Sequence, residues 1–320
     1  MSQRATTGLV TLTPSPAIDR TYRLTELFLG EVNRATDVME EFAGKGVNVS
    51  RNLALSGIIA PAVVPLSALD RALVDEDPLI RVAPCTGRVR VNITAIESTG
   101  ATTKINQSAP ELTASEWDEL VGTAVKALEE TSSGWLLVAG SFPKVAGGTA
   151  SAEALRGAVG PHVKLALDTS GDVFEVWARS GMIDFVKPNV RELGDAVGRV
   201  LSTMGDVLEA AREVADWGVP FVMVSMGADG FLGYVGGEDW WAWSEPVDVK
   251  NTIGAGDASV SGFFAALLNG PDNVVEAVAN AARWGAQKVQ QGTSQLQHLE
   301  GLPLVTVTSD IDRSRPVTAE

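Results

Sequence analysis

Cysteine is nearly absent from this chain of 320 residues: Cys85 stands alone, so neither an intrachain disulfide nor a thiolate metal cluster can form. Histidine is almost as scarce, with only His162 and His298, which argues against a histidine-built metal centre. Positive charge is in deficit: 25 Lys and Arg face 40 Asp and Glu, leaving a net charge of −15. A nonspecific nucleic-acid binder needs surplus cations to displace counterions, and an anionic membrane surface asks the same, so neither partner is expected. No apolar run approaches the roughly 18 residues of a membrane span. The start, MSQRATTGLV, shows no long apolar segment with a cleavage site. A cytoplasmic location is the expectation. What is present is a globular composition, 45% hydrophobic and 20% charged, long enough for one large domain or two modest ones.

The middle and C-terminal parts alternate short apolar runs with amphipathic helices. Trp135–Ala139, Leu165–Leu167, Phe185–Val186 and Phe221–Val224 read as strands buried on both faces, as in a parallel sheet. A capping box at Thr113–Glu116 opens a helix that turns Trp117, Leu120, Val121, Ala124, Val125 and Leu128 inward. Asp206 is read as the cap of a second helix, with Val207, Leu208, Ala211, Val214 and Ala215 inward. Asp272 is read as the cap of a third, with Val275, Val278, Ala279 and Ala282 inward. Strand–helix alternation implies an α/β fold with a Rossmann-like, doubly wound sheet, whose ligands sit beyond the carboxyl ends of the strands.

The first hundred residues differ. Arg88–Ile96 alternates apolar with polar side chains, which predicts a half-buried antiparallel strand carrying Arg88 and Arg90 on its polar face. A small inserted sheet acting as a lid accounts for that contrast, and a plain solvated face is the other reading. The polar stretch after Thr306 is expected to fray.

Two glycine-bracketed helix starts invite chemistry. In Asn251–Asp257 (NTIGAGD), backbone amides at Gly254, Ala255 and Gly256 would face whatever lies ahead of an apolar helix, and the helix dipole favours an anion there. Asp257 in that place can take a proton from a hydroxyl, or it can be an ordinary cap. The second start is Ala43–Asn48 (AGKGVN), where Lys45 offers either a mobile phosphate grip or a solvated lysine; the spacing is not a Walker A loop. Lys187-Pro-Asn-Val-Arg-Glu192 follows a strand. Asn189 and Glu192 can present oxygen to hydrated Mg²⁺ or cap a helix. Ser225–Gly230 reads as a tight turn near a nucleotide or as a plain hairpin turn.

In chain order, Pro16-Ala-Ile-Asp19, Gly44-Lys45-Gly46-Val-Asn48, Arg90-Val-Asn92, Gly140-Ser141, Asp168–Gly171, Lys187–Glu192, Ser225-Met-Gly227 and Gly254–Asp257 resemble the ribokinase-like (phosphofructokinase B) sugar kinases. The match is nearest to the branch holding 1-phosphofructokinase and tagatose-6-phosphate kinase, and it runs from about Thr11 to Thr293. Three departures fall on the sugar side: Ser15 stands where the branch carries Asn, Ala43 where it carries Gly, and Pro61–Asp77 replaces a Gly-rich stretch.

The resemblance implies one ribokinase-like domain over residues 1–305, with lid strands from about 20–42 and 86–107 and a polar tail over 306–320. It implies ATP and Mg²⁺, a phosphorylated ketohexose as acceptor, and a homodimer through the lid as a family habit. Fructose 1-phosphate is the expected substrate. Tagatose 6-phosphate, fructose 6-phosphate, an unphosphorylated sugar or nucleoside, and a non-catalytic phosphosugar-binding role are the alternatives. By the same resemblance Asp257 is the base, and the amides of Gly254, Ala255 and Gly256 hold the transferring group. Asp19, Gly44, Lys45, Asn48, Arg90, Asn92 and Ser141 serve the sugar phosphate. Lys187, Asn189, Ser225, Gly227, Gly230 and Asn280 serve the nucleotide, and Glu192 with Asn189 serves Mg²⁺ through water.

Overall fold

The computed structural model describes residues 8–148, 150–270 and 273–318. The chain starts with β1 (Gly8–Leu12), β2 (Ala17–Leu24), β3 (Asp37–Ala43), α1 (Lys45–Ala54), β4 (Ala62–Leu66) and β5 (Ile80–Pro84). Next come β6 (Arg90–Glu97), β7 (Thr102–Asn106), α2 (Ala114–Thr131), β8 (Ser133–Ala139), α3 (Ala152–Val159) and β9 (Lys164–Asp168). Then follow α4 (Asp172–Ala178), β10 (Phe185–Val186), α5 (Val190–Val197), α6 (Met204–Asp216), β11 (Phe221–Ser225) and β12 (Phe231–Val235). β13 (Glu238–Ser244), α7 (Ala255–Asn269), α8 (Val274–Val289) and β14 (Val305–Thr308) complete it.

The large sheet has the order β14-β13-β12-β11-β10-β9-β8-β1-β4-β5, parallel from β11 to β5 and antiparallel beyond β11. The four apolar runs named above form adjacent parallel strands of it. Their side chains are buried on both faces except at Phe221, which is partly exposed. One face carries α2 to α6, around Trp117, Leu120, Phe174 and Val207. The other carries α1, α7 and α8, around Leu53, Phe263, Phe264 and Trp284. No helix of the described residues is long and apolar enough to cross a membrane.

Local capping explains the helix starts, with two adjustments. Thr113 and Glu116 form the predicted box at α2. At α6 the cap is Thr203, and Asp206 answers it from the third helical position, accepting the Thr203 amide at 2.9 Å. Asp272 lies outside the described residues, and Asn273 caps α8. On α8, Val275 is exposed where an inward position was expected.

The small sheet, in the order β3-β2-β6-β7, stands apart from the large one. β6 pairs antiparallel with β7 but parallel with β2, so the antiparallel expectation holds on one side only. Every residue of β6 is partly exposed, rather than alternating between buried and open. Arg88 falls before the strand and pairs with the buried Asp70 at 2.7 Å.

Through Thr318 the C-terminal stretch is tied to the fold rather than frayed. β14 pairs with β13, and the chain beyond docks back on α6 and on Asp229. The amide of Thr318 and the guanidinium of Arg315 donate to Asp229 at 3.0 and 3.2 Å, and the Met204 amide donates to the Arg315 carbonyl at 2.9 Å. A polar tail frays only when its backbone groups lack partners. Here they find them across the fold.

Candidate active site

The segments that follow β1 and β8, the starts of α1 and α7, the loop after α8 and the small sheet surround a cavity of about 250 Å³. Ser15, Asp19, Gly44, Lys45, Asn48, Arg90, Asn92, Ser141, Gly254 and Asp257 line it, together with Glu41, Asn106, Ser294 and Gln295. A larger open hollow at Ala72–Pro78 presents Asp75, Glu76 and Asp77, which would repel a phosphorylated ligand.

Gly254 adopts a left-handed turn with φ of 81° and caps α7. A side chain there would also collide with the Ser294 carbonyl, at 2.2 Å. Only glycine fits both demands. Asp257 is therefore not the cap; it is the third residue of the helix, and its carboxylate makes no cap bond. It is 7% exposed and accepts a 2.7 Å hydrogen bond from Asn48 Nδ2 on α1. Burial pushes its pKa up to about 6, against the pull of Lys45. Among the described residues the amides of Gly254 and Gly256 have no partner, whereas the Ala255 amide donates to the Thr252 carbonyl at 3.2 Å. Two of the three expected amides are thus free to face a ligand.

Lys45 is not a mobile grip. Its ammonium is tied to Asp168 at 2.8 Å, and Asp168 also faces the buried Lys187 at 3.8 Å. Asp168 is 1% exposed, and the two lysines outweigh the effect of burial and hold its carboxyl below the usual range. One carboxylate thus links the α1 start with the chain after β10. No role was assigned to Asp168 from sequence, because Lys45 lies 123 residues away in the chain.

On the lid side, Asn92 donates to Asp19 at 3.0 Å, and burial raises the Asp19 pKa. Arg90 reaches the Ser15 carbonyl and the Ser141 hydroxyl at 3.2 Å each, which places guanidinium and hydroxyl together at the cavity wall. Several buried polar atoms lining the cavity have no partner: Ser15 Oγ, Asn48 Oδ1, Arg90 Nε, Asn92 Oδ1 and Gln295 Nε2. Unmet hydrogen bonds of this density are costly unless a ligand meets them. Sequence reading missed Glu41, Asn106, Ser294 and Gln295. For Glu41 and Ser294 no local signal existed, since they join at 3.0 Å across 253 residues; for Asn106 the Lys104–Asn106 segment was part of the family resemblance without a role being drawn from it.

The Lys187–Glu192 segment turns into α5 through the capping reading: Asn189 Oδ1 accepts the Glu192 amide at 2.7 Å, and Glu192 Oε2 accepts the Asn189 amide at 3.0 Å. The side-chain oxygen of Asn189 is spent in this cap. Ser225 lies beside Asn189 through an isolated parallel bridge. Gly227 and Gly230 bound a short turn joining β11 to the antiparallel β12, so the hairpin form is realised. At Gly230 a Cβ would strike the Ala242 carbonyl at 2.1 Å. Asn280 is not brought into the cavity; it lies two turns before the end of α8 with its side chain engaged by Arg283. Among the described residues no cluster of three His, Cys, Asp or Glu side chains forms a metal cage.

The chain is similar to known proteins in sequence and in fold. Residues 13–300 match the family described as pfkB family carbohydrate kinase. The 1-phosphofructokinase of Haloferax volcanii is 33% identical, over 82% of this chain and 85% of that protein. The 1-phosphofructokinase of Escherichia coli is 30% identical, over 81% and 84%. The crystal structure of phosphofructokinase-2 from Escherichia coli in complex with potassium superposes with a TM-score of 0.81, at 26% identity over 92% of this chain and 96% of that one.

Proposed function

Since the chain belongs to the pfkB family of carbohydrate kinases, with a ribokinase-like fold, we propose that it transfers the γ-phosphoryl group of ATP to the free primary hydroxyl of fructose 1-phosphate, giving fructose 1,6-bisphosphate. One observation carries the reading: a single cavity is lined both by the buried Asp257, near a glycine-bracketed helix start, and by the hydrogen-bonded Arg90 and Ser141. The first pair of features suits phosphoryl transfer, and the second suits a phosphate already on the acceptor.

In this reading Asp257 accepts the proton of the attacking hydroxyl. The hydroxyl's oxygen bonds to the γ-phosphorus as the bond to the ADP oxygen breaks, and ADP leaves. A base whose pKa is about 6 is ionised at neutral pH yet remains a competent proton acceptor. The amides of Gly254 and Gly256 stabilise the transferring group, with Ala255 holding the turn. Asp19, Asn48 and Asn92 bind sugar hydroxyls, and Gly44 lets the backbone approach. Arg90 and Ser141 take the substrate phosphate. Lys45, fixed by Asp168, adds positive potential beside Asp257. Lys187 and Ser225 face nucleotide phosphates, and the Gly227–Gly230 turn shapes the approach.

The donor set fits a hydrated Mg²⁺ held chiefly by nucleotide phosphates. After capping, Glu192 keeps one carboxylate oxygen, and a hydrated Mg²⁺ needs only one or two protein carboxylates. When bound, the ion neutralises charge on the phosphates. The lid also leaves Leu29, Val32 and Ile105 exposed at 91%, 78% and 63%. A second copy meeting lid to lid covers such a surface, and light scattering reads that dimer directly.

A substrate panel tests the assignment: fructose 1-phosphate, fructose 6-phosphate, tagatose 6-phosphate and the free sugars, with ADP release measured at fixed ATP. The expected result is the highest kcat/KM for fructose 1-phosphate. A free sugar turned over best would overturn the phosphorylated acceptor.

A further inference from the structure

Lys288, in the last turn of α8, is fully buried, and among the described residues it joins no salt bridge. Burying an unpaired ammonium is among the costlier things a fold can do. Burial pushes its pKa down to about 8, with the charge of Asp257 pulling the other way. Packing alone would be served better by leucine or methionine, so the charge itself needs a reason.

The surroundings supply one. Lys288 Nζ donates to the Asn251 carbonyl at 3.3 Å, and its Cε lies 3.5 Å from where a Cβ on Gly254 would fall. The side chain of Asn251 donates to the carbonyls of Gly292 and Thr293 at 3.3 and 3.0 Å, and its amide donates to the Val289 carbonyl at 3.1 Å. The Ser294 carbonyl presses on Gly254 from the same side. Backbone oxygens therefore crowd the underside of the turn, at the negative end of α8. Asn251 meets the Val289, Gly292 and Thr293 oxygens, and its own carbonyl receives the Lys288 ammonium, so the lysine ties this framework to the turn.

We propose that Lys288 is a positioning residue for phosphoryl transfer: seated among these carbonyls, its ammonium fixes the Asn251–Gly254 turn so that the Gly254 and Gly256 amides stay aimed at the transferring group, and it makes a free monovalent cation at that place unnecessary. This inference rests on the kinase reading of the same site.

Three measurements on the full chain test it. In the first, wild-type turnover of fructose 1-phosphate is followed at fixed ionic strength with K⁺ replaced by Na⁺ or tetramethylammonium; kcat is expected to stay within about twofold, because the cation is built in. Stimulation severalfold by K⁺ would overturn the proposal. In the second, Lys288→Met lowers kcat by roughly tenfold to a hundredfold, the scale of losing part of an anion hole, while both KM values move less than threefold. A folded variant with normal kcat overturns the proposal. In Lys288→Ala, K⁺ or ammonium restores kcat at least fivefold and tetramethylammonium, being too large, does not; a folded variant that no small cation rescues counts against the charge. The third is hydrogen exchange at the amides of residues 251–256, faster in Lys288→Met than in wild type. Exchange is read without turnover, so it tests the positioning role even if no sugar phosphate proves to be a substrate. If the variants do not fold, the wild-type cation series decides.

Discussion

The floor and the roof of the cavity hold their polar groups in different ways. On the floor, built by the large sheet and the starts of α1 and α7, charges are locked in buried pairs: Asp168 with Lys45 at 2.8 Å and with Lys187 at 3.8 Å, and Asp257 with Asn48 at 2.7 Å. On the roof, β6 is partly exposed throughout, Arg90 rests on contacts no shorter than 3.2 Å, and Asn92 keeps an oxygen without a partner. Preorganised charge costs no rearrangement at the moment of reaction, which suits groups that act on the transition state. Groups with unmet hydrogen bonds gain most when a ligand arrives, which suits recognition. For the proposed reaction, the difference predicts where each kinetic constant is set: kcat on the floor, KM for the sugar phosphate on the roof.

The largest test of that division is Asp257→Asn. The amide keeps the shape and can still accept from Asn48, but it cannot take a proton, so kcat is expected to fall by roughly a hundredfold or more. Steady-state kinetics check it, and near-normal turnover would remove Asp257 from the base role. Stability should move the opposite way. The carboxyl titrates near 6 in the fold against an ordinary 3.8, so the folded state binds the proton more tightly, and wild type loses stability as pH rises from about 4 to 6. The two units correspond to about 3 kcal/mol. The Asn variant should therefore melt higher than wild type at pH 8, with the gap closing near pH 4. In the wild type, kcat should fall as pH drops below about 6.

Next in size is Arg90→Ala on the roof. Losing a guanidinium that meets phosphate in a sheltered cleft costs about 2–3 kcal/mol. That corresponds to a rise of roughly thirty- to a hundredfold in KM for the sugar phosphate, with KM for ATP nearly unchanged. If the ATP constant moves and the sugar constant does not, Arg90 belongs to the nucleotide and the division fails at its clearest point. Smaller again is Glu192→Gln. Losing the charge should raise the Mg²⁺ needed for half-maximal activity severalfold without altering sugar KM. An unchanged Mg²⁺ titration leaves Glu192 with its helix cap alone.

Much of the floor was legible in the sequence because its signals are local. Unbroken apolar runs gave the parallel strands, Thr113 and Glu116 the start of α2, and the glycines around Ala255 the turn that opens α7. What was missed depends on partners far apart in the chain. The parallel pairing of β6 with β2 joins residues about 73 apart, as Asn92 and Asp19 show, and periodicity is blind to the direction of a neighbour. The tail was read as frayed because its anchor, Asp229, lies 86 residues before Arg315. Lys45 was read as free because its partner, Asp168, lies 123 residues further along the chain, while the nearby Glu40 and Glu41 bond to Arg20 and Ser294 instead. Lys288 drew no notice, since a lysine in the last turn of a helix is ordinarily a solvated one.

The smallest expected effect falls where floor and roof meet. Ser294 Oγ donates to Glu41 Oε2 at 3.0 Å, joining the loop after α8 to lid strand β3. Glu41 stands opposite Asp19 in the sheet register, so this bond holds the edge of the roof above the sugar site. It is a hydrogen bond from a neutral hydroxyl to a carboxylate, half-buried, worth about 1 kcal/mol. Ser294→Ala should therefore raise KM for the sugar phosphate by roughly two- to fivefold, because a looser roof must be ordered when substrate binds. The floor should not notice: the Ser294 carbonyl that abuts Gly254 is backbone and survives the substitution, so kcat, KM for ATP and the melting temperature should stay near wild type. Glu41→Gln keeps an acceptor and should lie between the two. Kinetics with sugar phosphate and ATP varied separately decide it. A fall in kcat with sugar KM unmoved would mean that Ser294 acts through the Gly254 turn, and the boundary between floor and roof would have to be redrawn on the lid side of it.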